Sequence, residues 1–438
     1  MSALTIGSVS LGTPVVLAPM AGVTNAPFRQ LCRLAAERGL AAAESGPADP
    51  ESGLAAVEGG LTEPAGPRVP GEDAGASRRG TSARAARQAD APTGLYVSEM
   101  VTSRALVERS PESMRIIAHD PSEDVRSVQL YGVDPATVRE AVRLLVAEDR
   151  VDHVDLNFGC PVPKVTRKGG GAVLPWKRAL FGAIVQGAVA AARHGGARPV
   201  PVTVKMRMGV DADHLTYLDA GAIARDAGAD AVALHARTAA EYYSGAAHRE
   251  AIAALRAHVP EIPVLGNGDI WSAEDALAMV AATGCDGVVV GRGCQGRPWL
   301  FTDLVAAFHG SSFRVRPGLR EVAATMRRHA ELLVAHVGDE GVALRELRKH
   351  VAWYLKGYAV GGEARAGLAL VSTLAELDDR LAALDLDQPY PGTAAEGPRG
   401  RAGTPKRPAV PEGWLDSPDL DDSLRRSLAA AELSVSGG

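Results

Sequence analysis

What this 438-residue chain lacks narrows its chemistry first. It has four cysteines, Cys32, Cys160, Cys285 and Cys294, with no Cys-x-x-Cys pair and no Cys/His spacing of a zinc site, so neither a disulfide framework nor a structural metal is expected. No carboxylate cluster or His-rich set suits a hydrolytic metal, and no Gly-x-Ser-x-Gly elbow offers an acyl-transfer serine. No apolar run reaches bilayer-spanning length, and the first ten residues lack the basic start and apolar stretch of a secretion signal. A soluble, cytoplasmic protein without a membrane partner is the expectation. The net charge of -5 argues against a uniformly basic surface but leaves local patches open.

What is present is a rhythm. Apolar strand-like runs, each followed by a helical pattern, occur at Val15–Ala18, Leu95–Glu99, Ser127–Tyr131, Val154–Asn157, Val202–Met206, Ala231–His235, Ile262–Gly266 and Gly287–Gly291. Eight such units are the signature of a (β/α)8 TIM barrel of about 250 residues; a doubly wound sheet is the runner-up, but it does not usually need eight. The first helix begins at Pro27 and is expected to stop at Gly39. Residues 41–93 contain no aromatic, Ile or Met and are rich in Gly, Pro, Ala and charge, so they are expected to be a disordered, solvated insert. The barrel is assigned to residues 1–314.

After residue 314 the strand pattern stops. Val322–Val337, Val342–Val360 and Leu368–Leu384 have helical spacing, predicting a small C-terminal all-helical domain over 315–385. Between Arg314 and Tyr358 basic residues, Arg345 and Arg348 among them, outnumber acids, with Trp353, Tyr354 and Tyr358 interleaved; such a surface suits phosphates and bases, and an ordinary solvated face explains the charges equally well. Pro, Gly and charge return over 386–438, where a flexible tail with a short helix at Leu420–Leu433 is expected.

The centre of the chain is Val151-Asp-His-Val-Asp-Leu-Asn157-Phe-Gly-Cys160-Pro161, a buried strand that ends abruptly and leaves Cys160 on the loop beyond it. A free cysteine is often only a small core hydrophobe. Here, though, nearly every predicted strand ends in a polar group or a Gly-rich turn, which is where barrels carry their chemistry. These ends are Pro19-Met20-Ala21, Glu99, Gln129, Asn157 with Cys160, Lys205 with Arg207, His235 with Arg237, Asn267-Gly268-Asp269, and Gly291-Arg292. Charges such as Lys205 at a barrel mouth are costly unless something polar or anionic fills the space. The two glycine turns after the last strands, with Arg292, form a phosphate site of the barrel type. Flavin mononucleotide fits: phosphate on those turns, Gln129 at the pyrimidine edge, Lys205 near the N1/C2 carbonyl region, and Cys160 on the opposite face of the ring.

These residues resemble a known family. Ala18-Pro-Met-Ala-Gly-Val-Thr-Asn-Ala-Pro-Phe-Arg29, Val97-Ser-Glu-Met100, Asn157-Phe-Gly-Cys-Pro161, Lys164 with Arg167-Lys-Gly-Gly-Gly171, Val204-Lys-Met-Arg207, His235-Ala-Arg-Thr238 with Tyr243-Ser-Gly245, and Gly266-Asn-Gly-Asp269 are similar to motifs of the tRNA-dihydrouridine synthases, most closely the bacterial B-type enzymes. The likeness spans roughly residues 4–40 and 94–360, in the family's motif order. It implies an FMN-bound barrel, a helical tRNA-binding domain and reduction of uridine in tRNA by NADPH (or NADH). By motif, the FMN contacts are Pro19, Met20, Ala21, Gln129, Lys205, His235, Asn267, Gly268, Asp269, Gly291 and Arg292. Cys160 becomes the proton donor and Asn157 and Arg237 line the uracil site, with Arg345 and Arg348 as candidate tRNA contacts. The insert and tail depart from the family's pattern. A monomer without a metal is expected. The alternatives are a related FMN barrel acting on free pyrimidines, as in dihydroorotate metabolism, and a non-catalytic RNA-binding module.

Overall fold

The computed structural model describes residues 3–45, 89–118, 120–400 and 402–433. Its strands are β1 (Leu4–Ile6), β2 (Val9–Leu11), β3 (Val15–Leu17), β4 (Ala89–Ala91), β5 (Leu95–Thr102), β6 (Ser127–Tyr131), β7 (His153–Phe158), β8 (Val202–Arg207), β9 (Ala231–His235), β10 (Val264–Asn267) and β11 (Gly287–Val290). Eight of them close into a parallel barrel in the order β10-β11-β3-β5-β6-β7-β8-β9, with helices packed around it, which is the (β/α)8 architecture.

Local chemistry sets the helix boundaries. The Asn25 side chain accepts the Phe28 N–H and Pro27 sits in the first turn, so the chain turns into Ala26–Glu44 directly after the loop that follows β3. Asp134 with Pro135 does the same for Pro135–Ala147. Ser272 and Asp275 form a capping box ahead of Ala273–Thr283, which ends at Gly284 with φ 66°.

Two elements depart from expectation at the insert. The first helix does not stop at Gly39 but runs to Glu44, and a Cβ at Gly39 would lie 2.4 Å from the Thr302 carbonyl oxygen. That glycine serves close helix packing rather than termination. At the other side, Ala89–Ala91 forms a strand, so the expected disorder over 41–93 is overturned for residues 41–45 and 89–93, and residues 46–88 lie outside those described.

Strands β1, β2 and β4 make a separate three-stranded sheet. Its buried Leu4, Ile6, Val9 and Leu11 pack with Leu95, Ala231, Leu265 and Val289 of the barrel strands, closing the amino-terminal end of the barrel. Strands of three residues carry too little periodicity to be read from sequence.

Beyond the barrel, Leu319–Val337 and Glu340–Tyr354 pair as antiparallel helices around Gly338, whose φ is 78°, and Asp339, which accepts the Val342 N–H. The run expected to reach Val360 ends at Tyr354, and the run expected over Leu368–Leu384 divides into Gly362–Leu368 and Leu374–Ala382, the second capped by Thr373. This cap has its own apolar core and meets the barrel where Phe28 packs against His329 and His350.

The flexible tail expected from residue 386 is overturned most clearly. Arg399 is buried and donates to the Ala395 carbonyl, the Lys406 N–H bonds the Ala240 carbonyl at 2.8 Å, and Trp414, only 1% exposed, enters the barrel's own core cluster with Leu424 and Leu428. A large aromatic and spaced leucines outweighed the Pro/Gly composition. The helix Asp422–Leu433 follows, close to the one expected. Among the described residues, no helix is long and apolar enough to cross a membrane.

Candidate active site

At the carboxyl ends of the barrel strands lies a cavity of about 430 Å³. Every residue expected to meet the cofactor lines it: Pro19, Met20 and Ala21 after β3, Gln129 on β6, Lys205 on β8, His235 on β9, Asn267, Gly268 and Asp269 at the end of β10, and Gly291 and Arg292 after β11. Cys160 and Asn157 line it too. Arg237, Arg345 and Arg348 do not.

A continuous hydrogen-bonded chain runs from the barrel interior to the cysteine loop. Ser127 Oγ and Thr203 Oγ1 flank the buried His153 ring at 2.7 and 3.0 Å; Thr203 Oγ1 donates to Asp155 Oδ1 at 2.5 Å; Gln129 Nε2 donates to Asp155 Oδ2 at 2.7 Å. Asn157 Nδ2 then donates to Gln129 Oε1 at 2.9 Å, and Asn157 Oδ1 accepts the N–H groups of Gly159 and Cys160 at 3.1 and 3.0 Å. Strand alternation puts Gln129, Asp155 and Thr203 on neighbouring strands at one level, since Gln129 pairs with Asp155 and Asp155 with Thr203 in register. Asn157 borders the cavity, and its polar atoms also shape the Cys160 turn.

Arg207 supports the same turn from another side: its Nε donates to the Gly159 carbonyl at 2.9 Å and its Nη1 to the Thr238 and Tyr242 carbonyls at 2.9 and 2.7 Å. Burial pushes the Cys160 thiol up, with Arg207 and Lys205 only partly opposing it, so the sulfur keeps its proton at neutral pH.

Lys205 Nζ donates to Asn267 Oδ1 at 3.0 Å, and Asn267 Nδ2 to the Val289 carbonyl at 2.7 Å. Burial lowers Lys205 to about 8 against the pull of Asp155, and burial raises Asp155 to about 6. His235 is held neutral by burial and by the surrounding cations Arg207, Lys205, Arg237 and Arg292. A neutral imidazole and a cationic amine therefore face the same space.

The loops after β10 and β11 are built for close backbone approach. Gly268 has φ 135°, and a Cβ there would meet Ala247 Cβ at 2.7 Å; a Cβ on Gly293 would meet the Ile270 carbonyl oxygen at 2.2 Å. The Asp269 carboxylate is engaged by the protein itself. Both its oxygens take Arg237 Nη2, at 2.8 and 2.9 Å, and Oδ2 also takes the Ala247 N–H. Arg237 further donates to the Ser244 and Gly245 carbonyls, so it braces the loop instead of lining a base pocket. Its buried Nη1 has no hydrogen-bond partner, and a Cβ on Gly268 would lie 3.8 Å from it. Two glycine turns and Arg292 fit a phosphate, while Gln129, Asn267 and Lys205 offer amide and ammonium groups to a planar heterocycle. The residues present can hold FMN.

Two aromatics of the rim had no role from the sequence: Tyr243, quoted only within a motif, and Trp271. Tyr243 lies 4.2 Å from the Arg292 guanidinium and 5.3 Å from that of Arg207, measured to the ring centroid, and Trp271 stands 5.1 Å from Arg292. Trp271 follows two residues after Asp269, and that adjacency was the available signal. Trp353 also lines the cavity, whereas Tyr354 and Tyr358, expected on a base-stacking surface, are buried in the cap core.

Glu99 accepts the Gly22 N–H and faces a second cavity of about 250 Å³ between barrel rim and cap, which Lys349, Glu346, Arg115 and His336 also line. Much of the cap's basic excess is neutralised: Arg314 pairs with Glu274, Arg320 with Asp387, Arg327 with Glu331 and Asp378, and Arg328 with Glu331. Arg348 donates to the Leu370 and Val371 carbonyls, bracing the cap. Arg345 and Lys349 are exposed and carry no salt bridge among the described residues.

The sequence profile described as dihydrouridine synthase (Dus) matches residues 16–388. The chain is 50% identical over 417 residues to a probable tRNA-dihydrouridine synthase of Mycobacterium tuberculosis, covering 95% of this chain and 93% of that protein. It is 52% identical over 405 residues to the probable tRNA-dihydrouridine synthase of Mycobacterium leprae, covering 92% and 96%. To tRNA-dihydrouridine synthase B of Pseudomonas aeruginosa it is 34% identical over 366 residues, covering 84% and 91%.

Proposed function

The chain belongs to the dihydrouridine synthase family, and from that premise we propose that it reduces the C5=C6 bond of uridines in tRNA to 5,6-dihydrouridine, with FMN as bound cofactor, NADPH (or NADH) as electron source and Cys160 as proton donor. The observation that carries this reading is the convergence of a protonated thiol, Cys160, with Lys205 and the glycine turns of Gly268 and Gly291 on a single cavity at the barrel mouth.

When bound, FMN supplies the hydride that enters uracil at C6. The protein's own groups do the rest. Lys205, cationic below about pH 8, the Asn267 carboxamide and Gln129 would hold the ring by its polar edge. Arg292 and the two glycine turns would hold the phosphate. The carbon next to the uracil carbonyl, C5, needs a proton, and the Cys160 Sγ–H is its source: the S–H bond breaks, a C–H bond forms at C5, and the thiolate is reprotonated from solvent. Arg207 and Lys205 stabilise that thiolate while it lasts. The target base must leave the RNA fold, at a cost of a few kcal/mol typical of base extrusion. Arg345 and Lys349 on the cap are the cations that anchor the surrounding RNA.

The test uses the FMN-loaded protein with its Cys160→Ala variant. The variant is expected to keep its flavin spectrum and be reduced by NADPH, yet to form no dihydrouridine in folded tRNA by mass spectrometry. Unchanged product in a single turnover removes Cys160 as the acid. Reoxidation of the reduced protein by free uridine as fast as by tRNA would replace the tRNA reading with a free-pyrimidine one.

A further inference from the structure

The match to the dihydrouridine synthase profile ends at residue 388, but the chain beyond it is seated on the back of the reactive loop. We propose that this C-terminal segment is part of the reaction apparatus, with Trp414 as a positioning residue for the Cys160 thiol. The inference rests on Cys160 being the proton donor.

Cys160 is held from two directions. In front, Asn157 and Arg207 fix the Gly159–Cys160 backbone. Behind, the Ala172 N–H donates to the Cys160 carbonyl at 3.0 Å, and Gly171, with φ 58°, packs so closely that a Cβ would stand 2.4 Å from that oxygen. The Gly169–Ala172 turn therefore sets where the sulfur points. Inside the turn the Gly169 N–H bonds the Thr166 carbonyl at 2.9 Å and the Gly170 N–H the Val165 carbonyl at 3.3 Å, but glycines at 169, 170 and 171 carry no side chain of their own to hold it in place.

The tail supplies the constraint. Trp414 lies flush against Gly169: a Cβ there would sit 2.6 Å from the indole ring and 3.0 Å from Leu428. The indole Nε1–H donates to the Val173 carbonyl at 3.0 Å, one residue past Ala172. The buried Lys177 ammonium stands 5.1 Å from the indole centroid and donates to the Ser417 and Asp419 carbonyls at 2.5 and 2.9 Å, stapling the tail just past the ring. Upstream, Gly400 lines the main cavity, and a Cβ on it would lie 3.6 Å from Gln295 Oε1. The segment thus leaves the cap, borders the site and ends as a clamp beneath the turn that carries the thiol. Removing the indole takes away the ring against which Gly169 is packed and the donor to the Val173 carbonyl, and a misplacement of about 1 Å is enough to slow a reaction about 100-fold.

The experiment compares full-length, FMN-loaded wild type with Trp414→Ala and Trp414→Phe, reading Cys160 alkylation by iodoacetamide through peptide mass spectrometry alongside uridine reduction. Trp414→Ala is expected to alkylate Cys160 about fivefold faster or more and to lose kcat by about 10- to 100-fold with KM for tRNA within about twofold. Trp414→Phe, which keeps a ring under Gly169, is expected to restore both. Cys32, Cys285 and Cys294 are buried and report general unfolding if they react as well. Should Trp414→Ala unfold, Leu428→Ala removes the neighbouring contact on Gly169 and must show the same selective change at Cys160. An unaltered Cys160 alkylation rate in the folded variants, or acceleration at all four cysteines together, overturns the proposal. The alkylation readout decides it even if Cys160→Ala proves still able to reduce uridine.

Discussion

Asn157 holds Cys160 by the backbone: one oxygen, Oδ1, accepts the Cys160 N–H at 3.0 Å while the same side chain's Nδ2 reaches Gln129 Oε1 at 2.9 Å. A residue of the main cavity and the Cys160 turn are therefore parts of one hydrogen-bonded unit. Asn157→Ala leaves two turn amides and the Gln129 oxygen without partners, each a loss of up to about 1 kcal/mol at the edge of an open cavity. The expected result is a denaturation midpoint lowered by an amount corresponding to about 1–3 kcal/mol, with uridine reduction slowed about 10- to 100-fold. Chemical denaturation and single-turnover kinetics check the two effects separately.

The thiol's pH behaviour follows from its burial. Because desolvation raises Cys160, it is expected to ionise above the range of an ordinary thiol of about 8.5. The pH profile of Cys160 alkylation measures this, and reduction of tRNA should stay level through neutrality. A Cys160 midpoint below that of a model thiol would contradict the role of acid.

Asp155 makes stability depend on pH in an unusual direction. Burial lifts it to about 6 in the folded chain against about 3.9 unfolded. Between those values the folded state binds more protons, so stability falls as pH rises from about 4 to about 6 and levels off above. Asp155→Asn abolishes this contribution. Subtracting the variant's urea midpoints from those of wild type across pH 4 to 7 should expose the slope, and parallel curves would contradict it.

Arg237 is expected to matter for cofactor retention through Asp269. Truncation to Ala strands a carboxylate that accepts two bonds from it, at 2.8 and 2.9 Å, and frees the Ser244–Gly245 carbonyls. Breaking such a pair costs about 3 kcal/mol. Thermal unfolding of the apoprotein and the flavin-to-protein ratio after purification should both fall.

On the cap, charge reversal at Arg345 and Lys349 is expected to weaken tRNA binding and to reduce the slope of log affinity against log salt by about one for each phosphate that the cap no longer neutralises. Arg348→Glu instead destabilises the cap, since that guanidinium serves the Leu370 and Val371 carbonyls. Binding isotherms at several salt concentrations, with circular dichroism of each variant, separate the two behaviours.

The barrel was legible because each strand is a compact apolar run ending in a distinctive polar residue. Gln129, Lys205, His235 and Asn267 could be placed at one mouth from spacing alone, and they line one cavity. What spacing could not convey is which side chains face a ligand and which face one another. Arg237 and Asn157 sit in the expected motifs, and the hydrogen bonds they make within the protein are a matter of side-chain direction. Tyr243 was hidden because its place beside Arg292 depends on a loop fold. Trp414 was hidden by composition: one aromatic and two leucines in a Pro/Gly-rich stretch suffice to seat a segment when a glycine-lined groove receives them.

The extra sheet of β1, β2 and β4 gives the two ends of the barrel different tasks. The end of the helix Ala26–Glu44 and the start of β4 both lie at the sealed base, on the far side from the main cavity. That base is accordingly a permissive address: a fluorophore or affinity handle attached at the exposed Ser45 should leave flavin uptake and tRNA turnover as they were.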